Sequence, residues 1–150
     1  MKIKNWTEPE KSPKIAVDVL VVRKNKIVLL RRDIEPFRGS LDFPGGMVEY
    51  GETVENAAVR EVKEETGLDI SLKNILGVYS SPSRDPRFHA ITIAFVSGVK
   101  GGSLKSSFEG RAEWHDVDKI PMKEMGFDHA KILRDYIKWK RKKGTYWSTK

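Results

Sequence analysis

The 150-residue chain contains no cysteine. That excludes a disulfide framework, a thiolate-bound zinc and a cysteine nucleophile, and it agrees with a reducing compartment. Long apolar runs are also missing. No segment approaches the ~18 consecutive apolar residues of a membrane-spanning helix. The opening MKIKNWTEPEKSPK lacks the apolar stretch of a secretory leader. The expectation is a cytoplasmic protein with no membrane partner. There is no internal repeat and no linker long enough to mark a second domain, so residues 1–150 are expected to form one domain.

What remains is 39% hydrophobic and 33% charged, the balance of a globular chain rather than a disordered one. The formal net charge is +7. Much of it lies in KWKRKK, residues 138–143, at the end of an expected C-terminal helix. Cations are favoured at a helix C-terminus, so a solvated helix end is preferred over a nucleic-acid contact. The core is expected over residues 13–137, with 138–150 a basic tail.

Strands and helices alternate. KIAVDVLVV (14–22) and IVLLRR read as a hairpin joined by RKNK. Pro44-Gly45-Gly46 is expected to break any regular strand. Thr53 as N-cap and Gly67 as C-terminal stop frame a helix over about 54–66. DISLKNILGVYS and HAITIAFVSGV read as strands separated by SPSRDPRF, and KGGSLKSSFEGR as a mobile loop. AEWHDVDKIP gives a short strand and turn, and FDHAKILRDYIKWKRKK a last amphipathic helix. The pattern suggests a mixed sheet flanked by helices, an α/β class.

The helix over 54–66 carries an anomaly. With Val54 at zero on a wheel of roughly 100° per residue, Ala57, Ala58 and Val62 share one face. Glu61 and Glu65 fall at about 340° and about 20°, in the middle of that face. Glu64 lies beside them. Clustered carboxylates raise one another's pKa and need compensation. Arg60, four residues before Glu64, is one source. A divalent cation is another, and an all-oxygen donor set selects Mg²⁺ or Mn²⁺. A solvated acidic helix end is the competing reading, and periodicity alone leaves both open.

The spelling adds to this. Gly46, five residues, Glu52, seven residues, then Arg60-Glu61-Val62-Lys63-Glu64-Glu65-Thr66-Gly67-Leu68 fills every fixed position of one signature. On that account the chain resembles the Nudix hydrolase family. The resemblance implies an α/β/α sandwich in which a loop-helix-loop box binds Mg²⁺ and a diphosphate. It implies Glu61, Glu64 and Glu65 as metal ligands, with a backbone carbonyl at Gly45 or Gly46. Glu52 would join through water or a second metal, and Arg60 would orient the carboxylates. Metal-assisted hydrolysis without a covalent intermediate follows.

PKIAVDVLVV, Pro36-Phe37, Asp85-Pro86-Arg87, Phe127-Asp128-His129 and Pro82, fifteen residues beyond Gly67, resemble the ADP-ribose pyrophosphatase branch. That branch implies cleavage of ADP-ribose to AMP and ribose 5-phosphate. The alternatives are another nucleotide, such as a (d)NTP or a capped RNA end, and a non-catalytic ADP-ribose-sensing regulator. Arg84 and Arg87 are candidates for the substrate diphosphate or ribose. One of Arg31 and Arg32 is expected to face the site, and Arg32 is carried as the candidate. Phe37, Tyr79 and Phe88 are candidates for stacking on the base. Capping or packing competes with a site role for His129.

Two departures stand out. Leu41 replaces a tryptophan of many relatives, and it is expected to alter a wall of the site. Arg111 stands where the branch often has a glutamate base, so its neighbours Glu109 and Glu113, or Glu52 within the box, are candidates, Glu109 first among the two neighbours. A homodimer is common in the branch, and Trp6 and the tail with Tyr146 and Trp147 are its candidate contacts.

Overall fold

The structure is a computed structural model, which describes residues 11–150; Trp6 lies outside them. Strand β1 (Lys14–Arg23) turns through Lys24, whose φ is 54°, into β2 (Lys26–Arg32), and β3 (Leu41–Asp42) follows. Next come β4 (Gly45–Met47), helix α1 (Val54–Thr66) and β5 (Leu68–Tyr79). β6 (Ala90–Gly102), β7 (Gly110–Asp116), helix α2 (His129–Arg141) and β8 (Tyr146–Trp147) complete the order.

Among the described residues eight strands form one mixed sheet in the order β3-β2-β1-β6-β5-β8, with β4 added on β1 and β7 on β2. β1 and β6 run parallel in register from Lys14↔Ala90 to Val22↔Gly98. Side chains of a strand alternate between faces, and that period divides the apolar residues into two cores. Val17, Val19 and Val21 of β1 pack with Val28 and Leu30 of β2 under Ala57, Ala58 and Val62 of α1. Leu20, Ile27 and Leu29 face the other way, against Ile132, Leu133, Tyr136 and Trp139 of α2. The result is the expected α/β/α sandwich, with central strands apolar on both faces.

One edge of β1 is shared. Val22 and Arg23 pair with β2, whereas Ala16, Val17 and Asp18 pair with β4. The strands therefore fork, and the fork brings Asp18 opposite Gly45.

Three local expectations need correction. Pro44-Gly45-Gly46 does not end strand structure, since Gly45–Met47 is itself β4. Its glycines permit the approach: a Cβ on Gly45 would collide with the Val17 carbonyl. The loop after β6 is shorter than expected and tied down, with the Lys105 N–H donating to Thr66 O (2.7 Å) and Ser107 bridged to Gly110. The tail also belongs to the sheet, because β8 pairs parallel to Gly77 and Val78 of β5. No helix among the described residues is long and apolar enough to cross a membrane.

Candidate active site

α1 is delimited as the sequence predicts. Thr53 Oγ1 accepts the Asn56 N–H (3.1 Å), and Gly67 closes the helix at φ 74°. This fixes the phase of the helix, and the glutamates fall where the wheel placed two of them. Glu65 is 5% exposed, Glu61 is half-buried and Glu64 points to solvent.

Arg60 gathers the acids around it. It donates to Glu52 through Nε (2.8 Å) and Nη2 (3.0 Å), to Glu61 (2.7 Å), to Glu64 (3.3 Å) and to the Met47 carbonyl (3.1 Å). The bidentate hydrogen bond from Arg60 holds Glu52 down at about 2. Glu65 has no such partner. It accepts the Gly45 N–H (2.9 Å) and forms no ion pair among the described residues. Burial first, and then the charges of Glu109 and Glu61, push its carboxyl up to about 9. Glu61 is also raised, chiefly by burial, although Arg60 opposes this.

This is a donor set suited to a hard divalent cation: oxygen only, buried and short of positive charge. Gly46 leaves the space, because a Cβ there would lie 2.5 Å from the Glu61 carboxylate. Among the described residues no three acids already stand in a ligating cluster. Arg60 holds Glu61 through a hydrogen bond of 2.7 Å. The donor chemistry fits such an ion.

Glu61, Gly45 and Gly46 line a cavity of about 400 Å³. Glu109 lies on the same wall, carried there by the tight turn Ser107–Gly110 and by the Asp33 N–H donating to its carbonyl (2.9 Å). Glu113 is held elsewhere. It sits on β7 opposite Leu29, paired to the exposed Arg111 (3.0 Å), away from the cavity lining.

The expected substrate residues separate. Arg87 lines the cavity, held by Asp85 (2.9 and 3.1 Å), with its guanidinium 5.0 Å from the Phe88 ring and 5.9 Å from Phe127. Arg32 also lines it, but donates to Pro36 O (2.7 Å) and Asp42 (3.1 Å). Arg31 points away, to Glu124. Arg84 reaches the cavity wall with a side chain only 4% exposed. Its donors are taken by Asp128 (2.6 and 2.9 Å), Thr92 (2.5 Å) and Asp18 (3.4 Å), so it builds the floor instead of reaching outward.

Other assignments are corrected by packing. Phe37 sits edge-on to Phe127 (4.7 Å) outside the cavity lining. Tyr79 is fully buried and donates to Asp135 (2.9 Å), so it cannot stack on a ligand. Leu41 is likewise in the core and forms no wall of the site. His129 lines the cavity, with Nδ1 accepting the Phe43 N–H (3.1 Å) and Nε2 3.3 Å from Asp18. Asp18 and Asp42 were not singled out from the sequence, and Phe127 was quoted there only within a branch motif, without a place in the cavity wall. Asp18 did leave a signal, as a lone acid inside an apolar strand.

A buried acidic helix face beside a cavity of about 400 Å³, on a sheet flanked by two helices, is chemistry suited to a cation and an anionic ligand. The sequence model of the NUDIX domain matches residues 12–136, and the chain belongs to the Nudix family. It is a Nudix pyrophosphohydrolase. It is 51% identical over 129 residues to the ADP-ribose pyrophosphatase of Methanocaldococcus jannaschii, covering 85% of this chain and 75% of that one. Among solved structures, a NUDIX hydrolase from Nitrosomonas europaea superposes with TM-score 0.83 at 22% identity, over 93% of this chain and 79% of that one. A bifunctional NMN adenylyltransferase/ADP ribose pyrophosphatase from Francisella tularensis, complexed with AMP and a manganese ion, gives TM-score 0.76 at 22% identity. That match covers 87% of this chain and 43% of that one.

Proposed function

We propose that the protein hydrolyses ADP-ribose to AMP and ribose 5-phosphate with Mg²⁺, or Mn²⁺ in its place. The observation that carries this is a cavity that presents Glu61, Arg87, Phe88 and Phe127, with the buried carboxylate of Glu65 accepting the N–H of Gly45 on its wall. One cavity thereby offers a place for a cation, a diphosphate and a flat ring. The relative in M. jannaschii and the manganese-bound neighbour support the same reading.

Glu61 and Glu65, with Glu64 and a carbonyl at Gly45 or Gly46, would hold the cation. It would supply positive charge for the diphosphate and make a nearby water more acidic. The chain's own residues supply the remainder. Arg60 fixes the orientation of Glu52, Glu61 and Glu64 through its fork. Arg87 faces the phosphates, and the Phe88 and Phe127 rings flank the base. Arg32 and Arg84 shape the floor beneath them. Glu109 accepts the proton of the attacking water as its oxygen bonds to one phosphorus, while that phosphorus releases its bridging oxygen. This gives Glu109 the part that Arg111 cannot play.

Product chromatography tests the reading. Purified protein with Mg²⁺ is given ADP-ribose, NADH, a dinucleoside polyphosphate, GTP and a short capped RNA, with Glu65→Gln as the blank. The expected outcome is AMP and ribose 5-phosphate from ADP-ribose at the highest kcat/KM, absent from the blank. Inert ADP-ribose beside rapid turnover of another compound overturns the substrate and leaves the cation-binding helix standing.

A further inference from the structure

The chain beyond α2 lies outside the span matched by the family, yet it contacts the segment that lines the substrate cavity. β8 runs alongside the end of β5, in register Gly77↔Tyr146 and Val78↔Trp147. One residue further, Ser148 Oγ accepts both the Ser80 N–H (2.7 Å) and the Ser81 N–H (3.1 Å). These amides open the loop of residues 80–89, which supplies Arg84, Asp85, Arg87 and Phe88 to the cavity. The loop's far end is tied in as well: His89 Nε2 lies 3.0 Å from Ser80 O, and Lys14 N–H donates to His89 O (2.9 Å). Gly77 is fitted to this contact, since a Cβ on it would strike the Tyr146 carbonyl.

We propose that Ser148 and the β8 strand are positioning elements for the substrate-binding loop, setting the entry of residues 80–89 so that Arg87 and Phe88 face the cavity. This rests on the reading of that cavity as the nucleotide site. A hydroxyl that accepts two successive N–H groups fixes the peptide planes between them, as a strand partner would, at the point where the pairing of β5 with β8 ends. Arg84, bound to Asp128, anchors the loop at its middle, and Ser148 anchors it at its root.

The test is Ser148→Ala, Ser148→Thr and a chain ending after Gly144, each compared with the full chain. Ser148→Ala is expected to raise KM for ADP-ribose by roughly threefold to tenfold, as for one lost net hydrogen bond, with kcat held, because α1 and Glu109 are untouched. Ser148→Thr keeps the oxygen and restores the parent KM. The shortened chain raises KM further. Amide exchange supplies a readout independent of turnover, in which Ser80, Ser81, Arg84, Asp85, Arg87 and Phe88 exchange faster in Ser148→Ala while α1 is unchanged. Unchanged exchange in that loop, or an unchanged KM with only a lower Tm, overturns the positioning role. Faster loop exchange in a protein inert toward ADP-ribose upholds the anchoring and sinks the substrate reading instead.

Discussion

Glu65 is buried by its position on α1 and negative by its chemistry, and without a cation it resolves the conflict by holding a proton. Burial, with Glu109 and Glu61 nearby, pushes its carboxyl up to about 9 from an ordinary 4.5. The folded state therefore binds the proton more tightly than the unfolded state does. That contribution is complete below about pH 4.5 and is lost as pH rises through about 9. Between those limits the metal-free protein should lose stability with rising pH, by at most about 1.4 kcal/mol per unit. A cation must displace the same proton, so apparent Mn²⁺ affinity should increase over the same window. Thermal melts at pH 6 to about 9, with and without Mn²⁺, check both signs, and Glu65→Gln should flatten the metal-free trend. A pH-independent Tm in the parent rejects the buried proton.

Arg60 gives a second prediction at this scale. Arg60→Lys keeps the charge but cannot bridge Glu52, Glu61, Glu64 and the Met47 carbonyl together. Supporting residues of this kind are worth roughly 10- to 100-fold, so kcat/KM should fall by that order. The Glu64 partnership was legible as an i,i+4 pair. Those with Glu52 and Met47 were not, because they cross the loop before the helix.

At the scale of elements, α1 was readable from end to end. Its cap, stop and apolar face are all local, and the structure reproduces Val54–Thr66. β4 was not readable. Glycines carry no propensity for a strand, and only the distant Asp18 edge recruits them. The two glycines nevertheless serve different ends, and substitution should separate them. Gly45→Ala sets a Cβ against the Val17 backbone, which cannot yield, so it should lower Tm markedly. Gly46→Ala meets only the tip of the Glu61 side chain, which can swing aside. It should leave Tm near the parent value and cost Mn²⁺ affinity and kcat. Equal Tm losses in both variants would reject the division of roles.

At the scale of the whole molecule, the resemblance of one box foretold the sandwich, and the two-faced strands divided its cores as period two requires. What joins the layers at the cavity was beyond reach. Arg84 links Asp18 on β1, Thr92 on β6 and Asp128 at the head of α2, and His129 completes the cluster against Asp18 and Asp42. These positions are far apart in sequence, and no period connects them. The same remoteness led Arg84 to be read as a ligand of the substrate. Burial opposes the charge on Asp18, yet His129 and Arg84 keep its carboxyl below the usual range, so the acid depends on its partners. Arg84→Met fills similar space without the charge. It should cost about 3–5 kcal/mol, because it leaves buried acids uncompensated. Denaturant unfolding measures that loss, and the cavity loop should loosen with it. A variant of parent stability with a KM raised tenfold or so would instead restore Arg84 to the substrate, since one charged hydrogen bond to a ligand is worth about that much.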